Sequence, residues 1–276
     1  MSRVPLEDNF TDVIGKAQRG LHITDEQLAG LAEVSRADLA AVKAGAKIDA
    51  VIRRIARHLK LHPDALEDLA HDRWYPEQIR IHRAFAMFNT VFEDMRVNSY
   101  LIWDSRERCA AVFDTGANCD ELLDVVRSEK LDVHYILLTH THDDHIADLA
   151  KLAAATGAQV WANEREPVDF PGARTFKENA HFHLASVAIK ALTTSGHSPG
   201  QTSYFVTGLG RPLAVVGDSL FAGSIGGSAT HFLEQYRNDR QKIFSLPRDT
   251  VLACGHGPLS SVAQELIHNP FFAYGR

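Results

Sequence analysis

The chain has 276 residues, 45% hydrophobic and 23% charged, the proportions of an ordinary globular protein with room for one large domain and a small one. A formal net charge of −6 argues against a surface dedicated to nucleic acid or anionic membrane. Three cysteines without a C-x-x-C pair argue against a disulfide framework or thiolate metal site; a polar start (MSRVPLEDNF) and no apolar run of about 18 residues predict a cytoplasmic protein without signal peptide or membrane span.

Residues 9 to about 70 carry helical spacing throughout. Phe10, Val13, Ile14 and Ala17 recur on one face, and Thr24 with Gln27 fits a capping box before a second helix. Ser35 with Asp38 starts a third helix, which Gly45 ends. Ile48, Val51, Ile52, Ile55, Ala56 and Leu59 form a stripe, with Arg53, Arg54, Arg57 and Lys60 outside it as a solvated face. Pro63 fits the first turn of a fifth helix carrying Leu66 and Leu69. The expectation is a small all-α five-helix domain over residues 1–72 and a linker over 73–84, where Trp74 and Tyr75 serve as packing contacts.

The pattern then changes to short apolar or β-branched runs that end in Gly, Asp or Asn. These are NTVFEDM, NSYLIWD, AAVFDTG, HYILLTH, AQVWAN, VAIKALTT, TSYFVTG, PLAVVGD and TVLACGHG, interrupted by helical stretches at DELLDVVRSE, HIADLAKLAAATG and SSVAQELI. Strands mixed with helices over this length predict one α/β domain, residues 85–276. His181 and His183 alternate and are expected on an exposed hairpin, and Cys254 is expected as a small buried residue.

The stretch THTHDDH (139–145) lies between a predicted buried strand and a predicted helix with Ile146, Leu149, Leu152 and Ala153 on one face. His140 and His142 can aim the same way from an extended turn, and Asp144 and His145 can fold back from the helix start. Each later strand ends in a further ligand type beside glycine: His197 in SGHSPG, Asp218 in VGDS and His256 in CGHGP. Taken singly, each is an ordinary loop histidine or capping aspartate. Together they are seven nitrogen and oxygen donors without thiolate, which suits zinc and also iron or manganese. Seven exceed the needs of one tetrahedral ion and fit two divalent ions sharing a carboxylate and a bridging hydroxide.

With these motifs the sequence resembles the metallo-β-lactamase superfamily, over about residues 85 to 273, and within it the glyoxalase II (hydroxyacylglutathione hydrolase) group. The carrying pieces are THTHDDH, NSYLIWD, FDTG, GHSPGQTSYF, GDSLFAGSIG, KIFSLPRDTVLACGHGP and HNPFF. The resemblance implies an αββα sandwich with metal at one edge. It implies one ion on His140, His142 and His197, another on Asp144, His145 and His256, and Asp218 between them. It departs after Ser224-Ile225-Gly226, where the family usually has an arginine and this chain has Gly227.

Two cations would lower the pKa of a shared water and carry the developing oxyanion, with Asp144 and Asp218 also orienting the nucleophile. A thiolate leaving group needs no general acid, so a small-molecule thioester is the expected substrate. Persulfide dioxygenases, with one iron on two histidines and an aspartate, resemble the same motif set, but such a triad needs fewer ligands than this chain supplies. ITDEQLAGLAEVSRADLAAVKAG resembles a Cro/repressor helix-turn-helix, which would present Ser35, Arg36, Asp38 and Lys43 to DNA and make the chain a regulator with a metal-sensing domain. Residues 1–75 nevertheless hold 11 basic against 12 acidic residues, without the basic footprint of a DNA module. A helical domain for homo-oligomer formation or for covering the active-site mouth is the preferred expectation.

Overall fold

Asn9, Thr24 and Ser35 open the first three helices by accepting hydrogen bonds from the amides that follow them, and Pro63 takes the first position of the fifth. In the computed structural model, which describes residues 3–79, 81 and 84–273, these helices are α1 (Phe10–Gly20), α2 (Asp25–Leu31), α3 (Arg36–Lys43), α4 (Asp49–His58) and α5 (Pro63–Ala70). The Thr24–Gln27 capping box is formed reciprocally. Ile52, Ile55 and Leu59 on α4 and its exit are fully buried while Arg54, Arg57 and Lys60 are exposed. Residues 80, 82 and 83 of the expected linker lie outside the described residues.

Strands β1 (Phe85–Phe92), β2 (Met95–Trp103) and β3 (Cys109–Phe113) run antiparallel. Helix α6 (Asp120–Ser128) then returns the chain to β4 (Asp132–Leu137), parallel to β3. A short helix α7 (Asp143–Ile146) and α8 (Leu149–Thr156) lead to β5 (Gln159–Asn163) and β6 (Arg174–Phe176), completing a sheet of order β1-β2-β3-β4-β5-β6. The hairpin β7 (His181–Leu184) and β8 (Val187–Thr193) continues through β9 (Thr202–Thr207) to β10 (Leu213–Gly217). After the two-residue strands β11 (Leu220–Phe221) and β12 (Ser224–Ile225) come α9 (Phe232–Asn238), a π-helical turn Asp239–Ile243, β13 (Val251–Cys254), β14 (Ser260–Ser261) and α10 (Val262–His268). The second sheet has the order β14-β13-β10-β9-β8-β7.

Alternation along the strands divides the apolar residues into layers. Tyr100, Ile102, Ala111 and Phe113 face Ile189, Tyr204, Val215 and Ala253 between the sheets. Leu101, Val112 and Ile136 take the outer face of the first sheet and pack under Leu122 of α6 and Leu152 of α8. Ala214, Val216 and Leu252 on the outer face of the second sheet join one continuous core with Val262 of α10, Phe232 of α9, and Ile14, Leu28, Leu39, Ile52 and Leu66 of the five N-terminal helices. The layers therefore read α, β, β, α.

One expectation needs correction, and several short elements carried no signal in the sequence. The helix predicted across residues 145–157 is broken at Ala147–Asp148, because Thr115 N–H takes the His145 carbonyl at 2.8 Å and the Asp148 carboxylate accepts Cys119 N–H at 2.8 Å. The strands β6, β11, β12 and β14 are too short for a periodic signal, and α9 with its π turn was not anticipated. Among the described residues no helix is long and apolar enough to cross a membrane.

Candidate metal centre

Asp114 follows β3 with φ +56, a left-handed conformation that aspartate tolerates better than most residues. Its buried carboxylate accepts Thr139 N–H and the Thr139 hydroxyl, both at 2.7 Å, and meets His145 Nδ1 at 2.9 Å. A carboxylate there fixes the proton on Nδ1 and turns Nε2 of His145 toward Asp218 Oδ1 (3.2 Å) and Asp144 Oδ2 (3.5 Å). His197 Nδ1 likewise donates to the Gly227 carbonyl (2.9 Å) and His256 Nδ1 to the Arg96 carbonyl (2.7 Å). Both Nε2 atoms are thereby left to face inward.

The four loops after β4, β8, β10 and β13 bring all seven predicted residues together. His142 Nδ1 stands 3.0 Å from both His140 Nε2 and His197 Nε2. His256 Nε2 lies 3.3 Å from Asp144 Oδ2 and 3.4 Å from Asp218 Oδ2, which is 3.5 Å from His197 Nε2. Three groups have ligand atoms within 4.8 Å of one another: His140, His142 and His197; His140, His145 and Asp218; and Asp144, His145 and His256. The first and third coincide with the two sets that the family resemblance implies.

The donor set fits cations. Inward nitrogens 3.0 Å apart repel unless a proton or metal lies between them. His145 Nε2 and Asp218 Oδ1 are buried 3.2 Å apart and have no hydrogen-bond partner outside the donor set, an arrangement that a cation between the donors would suit. Burial opposes charge on His145 and His256, yet Asp218 outweighs it, aided by Asp114 and Asp144 respectively, and pushes the two pKa values up to about 10 and about 11. Burial and the neighbouring His145 drive His140 well below the ordinary range, and burial lowers His197. Against its own burial, Asp218 is held far below the usual carboxylate range by His256 and His145. The Asp218 side of the centre thus attracts positive charge, and without metal that charge is protons on His145 and His256.

Two glycines are dictated by close approach. A Cβ at Gly255 would lie 2.0 Å from Asp218 Oδ1, and one at Gly226 would lie 1.8 Å from the Asp218 carbonyl and 3.1 Å from His197 Nδ1. Asp114 and Glu166 were not anticipated as site residues. Asp114 sits in the FDTG stretch, where a lone aspartate after a strand gives no ligand signal. Glu166 is buried and ties together two of the loops that carry candidate donors, accepting Thr141 Oγ1 (3.1 Å) from one and Ser198 Oγ and Gly200 N–H (both 2.5 Å) from the other. Nothing in its sequence neighbourhood marks that role.

The candidate DNA residues are not brought to this centre. Ser35 caps α3, Arg36 pairs with Glu26, and Lys43 pairs with Asp25 at 2.5 Å, so acids of α2 neutralise the cations of α3. His181 and His183 are exposed on β7. The Cys254 thiol is buried and its pKa is pushed well up by that burial. Trp74 stacks on His268 at 5.1 Å, and the Tyr75 hydroxyl donates to the Val4 carbonyl at 2.6 Å.

A family model described as the metallo-beta-lactamase superfamily matches residues 93–256. The chain is 33% identical over 160 residues to a hydroxyacylglutathione hydrolase of Pseudomonas entomophila, covering 57% of this chain and 60% of that enzyme, under two thirds of its length. It is 27% identical over 197 residues to the hydroxyacylglutathione hydrolase GloC of Haemophilus influenzae, covering 63% of this chain and 92% of that one. Among solved structures, the BLEG-1 B3 metallo-beta-lactamase superposes with a TM-score of 0.60 at 25% identity, over 68% of this chain and 100% of the other. ETHE1 from Myxococcus xanthus, at 23% identity and a TM-score of 0.60 over 68% and 84% of the two chains, shares the fold.

Proposed function

The chain belongs to the metallo-β-lactamase superfamily, and on that premise we propose that it is a dinuclear metal-dependent hydrolase of thioesters, glyoxalase II-like in its chemistry. The observation that carries this reading is the convergence of seven nitrogen and oxygen donors around the buried His145 Nε2 and Asp218 Oδ1, which have no partner outside that set. In this reading His140, His142 and His197 hold one divalent ion, Asp144, His145 and His256 hold the other, and Asp218 is shared. Zinc is the expected metal, and iron or manganese suits the same donors.

When bound, two such ions supply a hydroxide near neutral pH and polarise a scissile carbonyl. The chain's own residues do the rest. Asp114, Gly227 and Arg96 hold three imidazoles by Nδ1 so that each Nε2 points inward. Asp144 and Asp218 each keep a carboxylate oxygen within 3.3–3.5 Å of an inward imidazole nitrogen, positioned to accept hydrogen bonds from an attacking water and orient it. A thiolate departs without needing a proton, which matches a centre whose carboxylates are held ionised. The relatives named hydroxyacylglutathione hydrolases support a small-molecule thioester of that class. We further propose the division at residues 1–72, 73–84 and 85–276, with the helical region serving the metal domain in preference to DNA.

The test is thiol release from an acylated glutathione by the metal-loaded chain. The expected result is hydrolysis without oxygen uptake, abolished by a chelator and by His142→Ala, with the helical circular dichroism signal unchanged. Oxygen consumption on a persulfide, or full activity in His142→Ala, would contradict the proposal.

A further inference from the structure

The residues ahead of α1 are pinned against the loop that carries His256. Arg3 lies over the Tyr75 ring, 3.1 Å from its centroid, and the Val4 carbonyl accepts the Tyr75 hydroxyl. Farther on, the buried Asp8 accepts the Ser224 hydroxyl at 2.5 Å and pairs with Lys16, whose ammonium also donates to the Ile225 carbonyl at 2.8 Å. Between these anchors the backbone crosses the loop that carries His256. A Cβ on Gly257, itself at φ +75, would lie 3.2 Å from Glu7 N and 3.5 Å from the Pro5 carbonyl. The crossing leaves Glu7, 27% exposed, with Oε2 at 4.0 Å from His256 Nδ1.

This is a poor place for a carboxylate unless the centre beyond His256 is positive. Burial raises the Glu7 pKa, with Asp8 and Asp218 adding to it, while His256 and Lys16 oppose the rise. Lys16 is turned to Asp8 and the Ile225 carbonyl, and its ammonium rests 4.8 Å from the centroid of Phe221. The Phe221 ring in turn meets His256 at 5.5 Å, so an apolar ring separates the lysine from the imidazole. Glu7 therefore faces His256 from the side opposite Nε2.

We propose that Glu7 is a positioning residue for the cation held by Asp144, His145 and His256, standing behind the His256 ring and stabilising positive charge on that side of the centre. The inference rests on the dinuclear reading above. It makes the N-terminal region part of the metal site. The Arg96 carbonyl fixes the orientation of His256 through Nδ1, and Glu7 adds negative charge through space, strengthened by its partial burial.

The experiment is titration of the metal-free 276-residue chain with zinc(II) against a chromophoric chelator, for wild type, Glu7→Gln and Glu7→Asp. Thermal unfolding of the metal-free chains checks that all three fold alike. Glu7→Gln is expected to weaken one zinc about tenfold and leave the other within about twofold, and Glu7→Asp, which keeps the charge, to recover to within about threefold of wild type. Unchanged affinity in Glu7→Gln for every zinc bound overturns the inference. Equal weakening of both ions without recovery in Glu7→Asp also overturns it, as a general structural defect. A wild-type chain that takes up a single zinc contradicts the dinuclear reading instead, and loss of affinity for that zinc in Glu7→Gln, recovered in Glu7→Asp, would still support the role of Glu7.

Discussion

Asp114 decides which nitrogen of His145 faces the centre, and it does so from a conformation that few residues tolerate. Asp114→Asn preserves the side-chain shape and removes the charge that holds the proton on Nδ1. Metal affinity is expected to fall about 10–100-fold with little change in secondary structure, measured by chelator competition and far-UV circular dichroism. Unchanged affinity would mean that the Asp114–His145 contact does not orient the ligand. The seven candidate donors were legible in the sequence because histidine and aspartate recur at strand ends beside glycine, a pattern that points to metal ligation before any contact is known. Asp114 and Glu166 were not, since they hold candidate donors and their loops through contacts made only when distant segments meet.

Elements set the site through their ends. β4, β8, β10 and β13 finish at the same edge of the two sheets, and backbone around Asp218 is so close that Gly255 after β13 and Gly226 after β12 have no room for a Cβ. The apolar runs revealed those strands, whereas the break between α7 and α8 was hidden because its cause, Thr115 taking the His145 carbonyl, lies thirty residues upstream. On the far side of the second sheet, Glu265 of α10 clamps several elements. It accepts Gly223 N–H (2.9 Å), Asn269 Nδ2 (2.8 Å) and the Ser260 hydroxyl. Complete burial outweighs these hydrogen bonds and pushes its pKa from 4.5 to about 7.

The folded chain therefore keeps a proton on Glu265 that the unfolded chain releases. This contribution to stability is fully present below pH 4.5 and is lost as pH rises through about 7, an effect on the order of 3 kcal/mol. Glu265→Gln keeps the shape without titrating, its carbonyl oxygen able to accept Gly223 N–H and Asn269 Nδ2 while its amide donates to the Ser260 hydroxyl. Urea unfolding of the metal-free chains should show a smaller loss of stability between pH 5 and pH 8 in the variant than in wild type. Parallel pH profiles would contradict the assignment.

At the scale of the molecule, the N-terminal helices are a fourth layer on the second sheet. Ile14, Leu39 and Ile52 share a core with Ala214, Val216 and Leu252, and Asp8 and Lys16 reach Ser224 and Ile225 of β12. The five helices and the α/β character were readable from periodicity alone. Their joint core was not, because an amphipathic stripe shows that a face is buried without saying against what. The same limit applies to the helix-turn-helix resemblance, whose charged residues turn out to be paired between α2 and α3.

The central claim is a centre of two divalent ions. Elemental analysis of protein purified without added metal or chelator, counting zinc, iron and manganese per chain, tests it most directly. Close to two ions per chain, of whatever identity, is the predicted result, and a count close to one iron with no other metal would contradict it.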